Sequence, residues 1–180
     1  MATYAVLLRG INVGGKSKVA MADLRDLLGE LGFTAVKTLL QSGNAVFDSP
    51  GDGKPERLKD QIEEALAKRY GRTISCVILT RPVLDRVMAA NPFADVATNP
   101  SRLLVTFLSG PPDPARFAED DPSAYAPDLL VLGEREIYTW HPNGQAETKL
   151  TPAFWAKRLP GLVATGRNWN TVGKLRDLLS

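Results

Sequence analysis

The sequence predicts an α+β protein in which the element order βαββαβ occurs twice and a C-terminal helix follows. Three observations predict this class. Apolar residues recur at helical spacing around residues 21–31 and 58–67, short apolar runs typical of strands lie between the helices, and clusters of Gly, Pro and Asn separate the elements. The order βαββαβ is typical of a ferredoxin-like unit, in which two helices cover one face of an antiparallel sheet. We therefore expect two ferredoxin-like units in tandem.

The first ferredoxin-like unit is predicted over residues 1–80. Its predicted elements are a strand at 3–9, a helix at 21–31, a hairpin of strands at 35–40 and 44–47, a helix around 58–67 and a strand at 73–79. Gly32 and Gly71 follow the two helices, where a left-handed C′ residue is common. A bridging helix and loop are expected at 81–100, because Pro82 suits a first helical turn.

The second unit is predicted over residues 101–180 and includes the C-terminal helix. Its predicted elements are a strand at 103–108, a short helix at 114–118, a hairpin of strands at 129–132 and 136–140, a helix begun by Thr151 and Pro152, a strand at 161–164 and a helix at 171–179. Thr at the N-cap with Pro at the next position is a strong start signal for a helix. We expect the two units to form one compact globule.

Composition excludes several classes of protein. The formal net charge is only +2, which argues against attachment to nucleic acid by bulk electrostatics. One cysteine, Cys76, excludes an internal disulfide framework and a Cys-rich zinc site. No apolar run approaches the roughly 18 residues of a membrane-spanning helix. We predict a cytoplasmic protein that needs no metal, cofactor or membrane.

The charges are unevenly distributed along the chain. Residues 1–20 carry three basic side chains and no acid, residues 149–180 carry six against Asp177 alone, and residues 113–136 carry seven acids against two arginines. If the two basic ends meet, they form a positive face that attracts a phosphate or carboxylate ligand.

The first candidate site is the glycine-rich loop that follows the first strand. It consists of Arg9, Asn12, Gly14, Gly15 and Lys16. Glycines that leave backbone N–H groups accessible, placed with cations before a helix, are what a bound anion requires. The spacing of the glycines and the lysine is not that of a Walker A motif. The alternative is a crossover loop that needs glycine only for its geometry.

The second candidate site is the turn of the first hairpin, with Gln41, Ser42 and Asn44. In a βαββαβ unit the first and third strands are adjacent and antiparallel, so Arg9 is expected near Asn44. The alternative is a turn in which Asn and Ser bond only their own backbone.

The third candidate site precedes the C-terminal helix. It consists of Arg167, Asn168, Trp169, Asn170, Thr171 and Lys174. A polar run at a helix N-terminus can hold a phosphate or a carboxylate. The alternative is a helix cap made by Asn170 or Thr171, with a tryptophan that anchors the tail. Two such sites in one basic chain raise the hypothesis of a composite site across the two halves.

His141 is the sole histidine, and it lies in a sequence with turn character. We therefore expect a solvated side chain, which excludes a histidine-rich metal site and a Ser-His-Asp system. Asp48 or Glu147 could carry acid–base chemistry, but nothing distinguishes either residue from a surface carboxylate.

Four blocks of the sequence resemble the bacterial domain of unknown function 1697 family. They are LLRGINVGG at 7–15, MADLR at 21–25, QSGNAVF at 41–47 and RNWNTVGKL at 167–175. Thr148 stands where the family usually has serine, and Gly166 departs from a more usual Thr or Val. The resemblance implies a duplicated ferredoxin-like fold, and it implies no established activity or catalytic residue.

Three functions follow from these patterns. The first is binding or turnover of an anionic small molecule, such as a nucleotide or a phosphorylated metabolite. The second is binding of single-stranded nucleic acid on the sheet, because residues 42–47 faintly resemble the third-strand motif of an RNA-recognition fold. Asn, Ala and Ser fill most of the expected aromatic and basic positions of that motif, and Phe47 is also a candidate core residue. The third is a protein-interaction module with an open sheet edge. The residues define no reaction and no oligomeric state.

Overall fold

The computed structural model describes residues 1–11, 18–51 and 53–179. Within these ranges the chain forms two four-stranded antiparallel sheets and five α-helices, which confirms the predicted α+β class. The chain divides into two units. The first contains Met1–Asp85 with Lys174–Ser180, and the second contains Arg86–Gly173.

The first unit contains one sheet and two long helices. Its elements are β1 (Ala2–Leu8), α1 (Met21–Glu30), β2 (Thr34–Leu39), β3 (Asn44–Ser49), α2 (Pro55–Tyr70) and β4 (Cys76–Leu79). The strand order is β2-β3-β1-β4, and every neighbouring pair is antiparallel. The predicted hairpin and both predicted helices are confirmed. The last strand is shorter than the predicted 73–79.

Every second side chain of β1 faces the helices and forms part of the core of the first unit. Tyr4, Val6 and Leu8 belong to the same buried cluster as apolar residues of α1 and α2. Phe47 of β3 is fully buried in this cluster, and its ring stacks on Phe33 with centroids 4.4 Å apart. Full burial of such a side chain contributes about 1.5–3 kcal/mol, so this face of the sheet is the main apolar core of the unit.

Glycine ends α2 and shapes the hairpin turn. Gly71 has a φ of 67° and donates its N–H to Ala67 O, as expected for a left-handed cap. Gly43 has a φ of 87°, and a Cβ at this position would lie 2.6 Å from Ile11 Cδ1. The chain after β1 therefore packs closely over the β2–β3 turn, and only glycine allows this contact.

The helix α3 (Arg81–Ala89) begins in the first unit, where it holds the end of the chain. Arg81 Nη1 donates to Leu179 O at 2.7 Å, and Asp85 pairs with Arg176. The pKa of Asp85 is lowered, chiefly by its hydrogen bond from Arg176. These contacts join the C-terminal residues to the first unit.

The second unit contains the other sheet. Its further elements are β5 (Leu103–Leu108), β6 (Leu129–Leu132), β7 (Glu136–Trp140), α4 (Pro152–Arg158), β8 (Ala164–Asn168) and the start of α5 (Trp169–Leu178), whose residues from Lys174 on belong to the first unit. The strand order is β6-β7-β5-β8 and all neighbours are antiparallel. Thr151 caps α4 by accepting from Phe154 N, as the sequence predicts.

Two element predictions in the second unit are wrong, and the C-terminal helix is confirmed with an earlier start. The segment predicted as a helix at 114–118 is a single 3-10 turn, Pro114–Arg116. The last strand is Ala164–Asn168 rather than 161–164, because pairing with β5 extends it through Arg167. The C-terminal helix begins at Trp169 rather than at 171, because β8 runs into it without a loop.

A buried ion pair joins α3 to β7 in the second unit. Glu136 is 1% exposed, and its two carboxylate oxygens accept from Arg86 at 2.9 and 3.0 Å. Burial works to raise the pKa of Glu136, but the bonds from Arg86 and from backbone N–H groups outweigh it and lower the pKa. Tyr138 donates to Val87 O at 2.7 Å and fixes the same strand to α3.

Candidate anion-binding site

Arg9 lies directly after the end of β1 and is exposed. Its backbone N–H donates to Ser75 O at 2.9 Å, and the N–H of Leu8 donates to Gly43 O at 2.8 Å. These bonds bring Arg9 beside the β2–β3 turn and beside the chain that enters β4. Within the described residues Arg9 forms no ion pair, so its guanidinium group is available to an anion.

The β2–β3 turn contributes side chains of two kinds. Gln41 and Ser42 are exposed next to Arg9. Asn44 is fully buried, and its Nδ2 donates to Leu39 O at 2.8 Å and to Ser42 Oγ at 2.9 Å. Asn44 therefore orders the turn from within, and the exposed residues of this segment are those that a ligand can contact.

The remaining residues of the first candidate site, Asn12, Gly14, Gly15 and Lys16, lie outside the described residues. Lys18, which follows them, is described and exposed. The helix α1 starts shortly afterwards, and Ala20 at its N-cap gives it no side-chain hydrogen bond. An exposed lysine thus precedes a helix whose N-cap residue, Ala20, has no polar side chain.

Tyr70 and Arg72 lie at the same end of the first unit, and the sequence analysis did not identify them. Arg69 Nη1 donates to Asp23 O, which places the end of α2 against the first turn of α1. Arg72 Cζ lies 5.5 Å from the centre of the Tyr70 ring. Tyr70 Oη and Arg72 Nη2 are buried and have no hydrogen-bond partner in the described part of the chain.

Two donors without acceptors call for a physical explanation, because burial makes an unmet hydrogen bond unfavourable. Burial, followed by the charge of Asp23, raises the pKa of Tyr70, so its phenol stays protonated and can donate. An oxygen atom of a water molecule or of a ligand would satisfy both groups. The sequence contains no residue spacing that predicts the proximity of Tyr70 and Arg72. Their position depends on how the end of α2 packs against α1.

Arg167 lies in β8 and is buried, with only 8% of its surface exposed. Its Nη1 donates to Thr165 Oγ1 at 2.7 Å and to Gly166 O at 2.8 Å. Burial lowers the pKa of Arg167 to about 10. The side chain is thus an internal group of the second unit, whereas the sequence predicts a surface cation at the start of a helix.

The other residues of the third candidate site surround the start of α5. Asn168 Oδ1 accepts from Thr171 N at 3.0 Å, so Asn168 takes the capping position that the sequence assigns to Asn170 or Thr171. Thr171 is buried, Trp169 is partly buried, and Asn170 and Lys174 are exposed. Only these last two offer polar groups at the surface.

His141 is buried at 4% exposure, and the expectation of a solvated side chain is wrong. Its Nδ1 lies 3.1 Å from Asp128 Oδ2 and its Nε2 lies 2.9 Å from Thr139 Oγ1. The reason is that His141 N still bonds to Arg102 O, which continues the β5–β7 ladder past the last strand residue. Because the strand geometry continues to His141, its side chain shares one face of the sheet with that of Thr139, two residues earlier.

The hydrogen bonds of His141 connect a carboxylate, an imidazole and a hydroxyl group in series. Thr148 Oγ1 also donates to Asp128 Oδ2, so the carboxylate has two partners. Thr139 is 2% exposed, which keeps its hydroxyl group out of contact with solvent. The arrangement joins the loop after β7 to the start of β6, and we assign it a structural role.

The described ranges contain neither a metal-ligand cluster of three side chains nor a membrane-spanning helix. No three His, Cys, Asp or Glu side chains of these ranges cluster as a metal ion requires. None of the helices described there has the length and apolar character needed to cross a bilayer. Asp48 accepts a hydrogen bond from Thr3 at 2.7 Å, and Glu147 is exposed in a 3-10 turn.

Comparison with known proteins identifies a protein family and a similar solved structure. The model of a family described as "Protein of unknown function (DUF1697)" matches residues 1–138. Among solved structures, the chain is similar to the conserved bacterial protein SP0830 from Streptococcus pneumoniae, with 26% sequence identity, a TM-score of 0.77 and 99% of each chain covered. No curated protein matches the chain.

Proposed function

The chain belongs to the DUF1697 family, whose description assigns no activity, and we propose that it binds an anionic small molecule at the end of β1. The ligand class is a nucleotide or a phosphorylated metabolite. We define the β1-end site by Arg9, Gln41, Ser42, Tyr70 and Arg72. All of these residues belong to the first unit.

The observation that carries this proposal is the position of Arg9. Its guanidinium group is exposed and forms no ion pair within the described residues, and the backbone bonds at Leu8 and Arg9 hold it beside the turn with Gln41 and Ser42. A guanidinium group binds phosphate or carboxylate with two parallel hydrogen bonds. Exposed amide and hydroxyl groups beside it would add donors to the same ligand.

Arg72 supplies a second cation within reach of the first. Ser75 bonds directly to Arg9, and the three residues from Arg72 to Ser75 span at most about 10 Å. The main chain of the two arginines is therefore close enough for one ligand of nucleotide size, and contact of that ligand with both side chains is part of the proposal. The donors of Tyr70 and Arg72 that lack a partner within the described residues are compatible with this proposal, because an anionic oxygen is one acceptor that would satisfy them.

The test is thermal unfolding in the presence of nucleotides, phosphorylated metabolites and short single-stranded oligonucleotides at low ionic strength. A ligand at about one hundred times its dissociation constant stabilises by roughly 2.7 kcal/mol and moves the midpoint by about 5 to 10 °C. We expect this shift for a few small anions, and we expect Arg9→Ala to abolish it. A shift that survives Arg9→Ala contradicts the site.

Arg57→Ala is the matched control. Arg57 is also exposed in the first unit and forms no ion pair within the described residues. It lies thirteen residues before Tyr70 on α2, about 20 Å away along the helix. We expect Arg57→Ala to keep the shift. An equal loss in both variants would indicate a response to net charge only.

The hypothesis of a composite site with the basic C-terminal segment stays a prediction. Its test is the same assay on Arg167→Ala, followed by Lys174→Ala, whose exposed side chain does not contribute to a core. Unchanged ligand affinity in both variants would exclude the basic C-terminal segment from the binding site.

The tandem ferredoxin-like arrangement is also proposed here. The support is that the two sheets have the same strand order. If β5 to β8 are numbered one to four along the chain, the order β6-β7-β5-β8 equals β2-β3-β1-β4. In the second unit, 3-10 turns at Pro114–Arg116 and Pro122–Ala124 stand where the first helix of such a unit would be. The predicted cytoplasmic location stays a prediction.

The burial of Phe47 argues against binding of single-stranded nucleic acid on the sheet. Phe47 is fully buried between β3 and the helices, so its ring is unavailable for stacking on a base. A thermal shift with oligonucleotides alone would nevertheless favour this alternative over the small-molecule proposal.

A further inference from the structure

The strand β6 lies at the edge of the second sheet, and among the described strands it pairs with β7 alone. Gly133 N donates to Glu136 O at 2.7 Å, and hydrogen-bonded pairs alternate along an antiparallel ladder. The N–H and C=O groups of Leu130 and Leu132 therefore point away from β7. Within the described residues no backbone hydrogen bond outside the sheet uses these groups.

The side chains of β6 are also unprotected. Leu129 is 42% exposed and Val131 is 39% exposed, and they share one face because they are two residues apart. The strand has no charged residue, no proline and no register shift against β7. Charges, prolines and bulges are the devices that normally prevent an edge strand from pairing with another chain.

We propose that β6 pairs with the β6 strand of a second copy of this chain, antiparallel and centred on Leu130. In this register Leu130 faces its own counterpart, so the two outward N–H groups and the two outward C=O groups satisfy each other. Leu129 of one copy faces Val131 of the other on the same side of the sheet. A two-fold axis at Leu130 places the outward N–H of each copy opposite the outward C=O of the other, so the edge of β6 is complementary to itself.

The charges next to the strand fit the same register. Leu132 faces Asp128 of the other copy, whose N–H already donates to Tyr125 O at 3.0 Å, so the ladder of mutual hydrogen bonds ends at this pair. The exposed Glu134, whose carboxylate lies 3.5 Å from Arg86 of its own chain, faces Ala126. No pair of like charges is opposed. Because a stable interface buries about 1,200–2,000 Å² and this strand is four residues long, the dimer is weak and forms at high concentration.

The experiment is sedimentation equilibrium over a concentration series that reaches about 0.5 mM, a range suited to weak complexes. We expect the average mass of the wild-type protein to rise towards that of two chains. Val131→Lys should remain monomeric, because its ammonium group would lose water at the paired edge. Val96→Lys is the control, since Val96 is 47% exposed in the same unit and outside β6.

A charge-pair variant tests the register itself. Leu129→Glu combined with Val131→Lys places opposite charges face to face across the two copies, and we expect it to restore association. Leu129→Lys combined with Val131→Lys places like charges there and should stay monomeric. A wild-type protein that is monomeric throughout, or a dimer that Val131→Lys leaves unchanged, overturns the proposal. Failure of the charge-pair variant to associate overturns the register.

Discussion

Removal of Arg86 tests how much the buried ion pair stabilises the second unit. The side chain of Glu136 is 2% exposed, and that of Arg86 is 37% exposed. Breaking a buried pair by removing one partner costs about 3–5 kcal/mol, because the remaining charge is buried without compensation. Water reaches Arg86 and weakens the interaction, so we expect Arg86→Met to lower the free energy of unfolding by about 2–4 kcal/mol at neutral pH.

Tryptophan fluorescence during urea unfolding isolates this effect. All three tryptophans, Trp140, Trp155 and Trp169, lie in the second unit, so the emission reports that unit alone. A variant of a surface arginine in the same unit, Arg116→Met, is the control. The side chain of Arg116 is 48% exposed, and we expect a change below about 0.5 kcal/mol.

The pH dependence gives a second readout with a definite sign. The folded-state pKa of Glu136 is lowered, so the pair contributes stability above the unfolded pKa of about 4.3 and loses it as pH falls through the folded pKa. In Arg86→Met the buried carboxyl group has no cation, and burial raises its pKa. The loss of free energy of unfolding that Arg86→Met causes should therefore be smaller at about pH 5 than at pH 7. A loss below about 1 kcal/mol, or one equal at both pH values, would refute this reasoning.

Two further substitutions test local features of the fold. Gly43→Ala should destabilise by more than about 2 kcal/mol, because it combines a left-handed φ with a contact at Ile11. Gly51→Ala, at a φ of 89° with open space, measures the backbone part alone, and equal losses in circular-dichroism melts would contradict the contact. His141→Ala should cost about 2–4 kcal/mol, because it leaves the buried Asp128 with fewer partners. Tryptophan fluorescence measures this loss, and an unchanged midpoint would contradict the structural role.

Local patterns were sufficient to predict most elements. The leucines of α1, the Gly71 cap and the Thr151-Pro152 start of α4 act within one or two helical turns, and the structure contains each of them. The two hairpins follow from short turns between apolar runs. The predictions failed where tertiary pairing overrides local preference, as in β8, whose length is set by its register with β5.

The candidate site was predictable in part for the same reason. The adjacency of Arg9 and the β2–β3 turn follows from antiparallel pairing of β1 with β3, in which Leu7 faces Asn44. Tyr70 and Arg72 were not predictable, because no periodicity marks them. Their position depends on how α2 packs against α1.

The sequence by itself determined the α+β class, the order of elements and the segments from which a basic site could form, because periodicity, caps and turns are local properties of the chain. Tertiary structure alone decided which polar residues are buried. Arg167 and His141 carry charge or hydrogen-bonding capacity that favours the surface, yet both are enclosed. His141 finds its carboxylate partner thirteen residues away. Burial depends on such distant segments, and they meet only after the chain has folded.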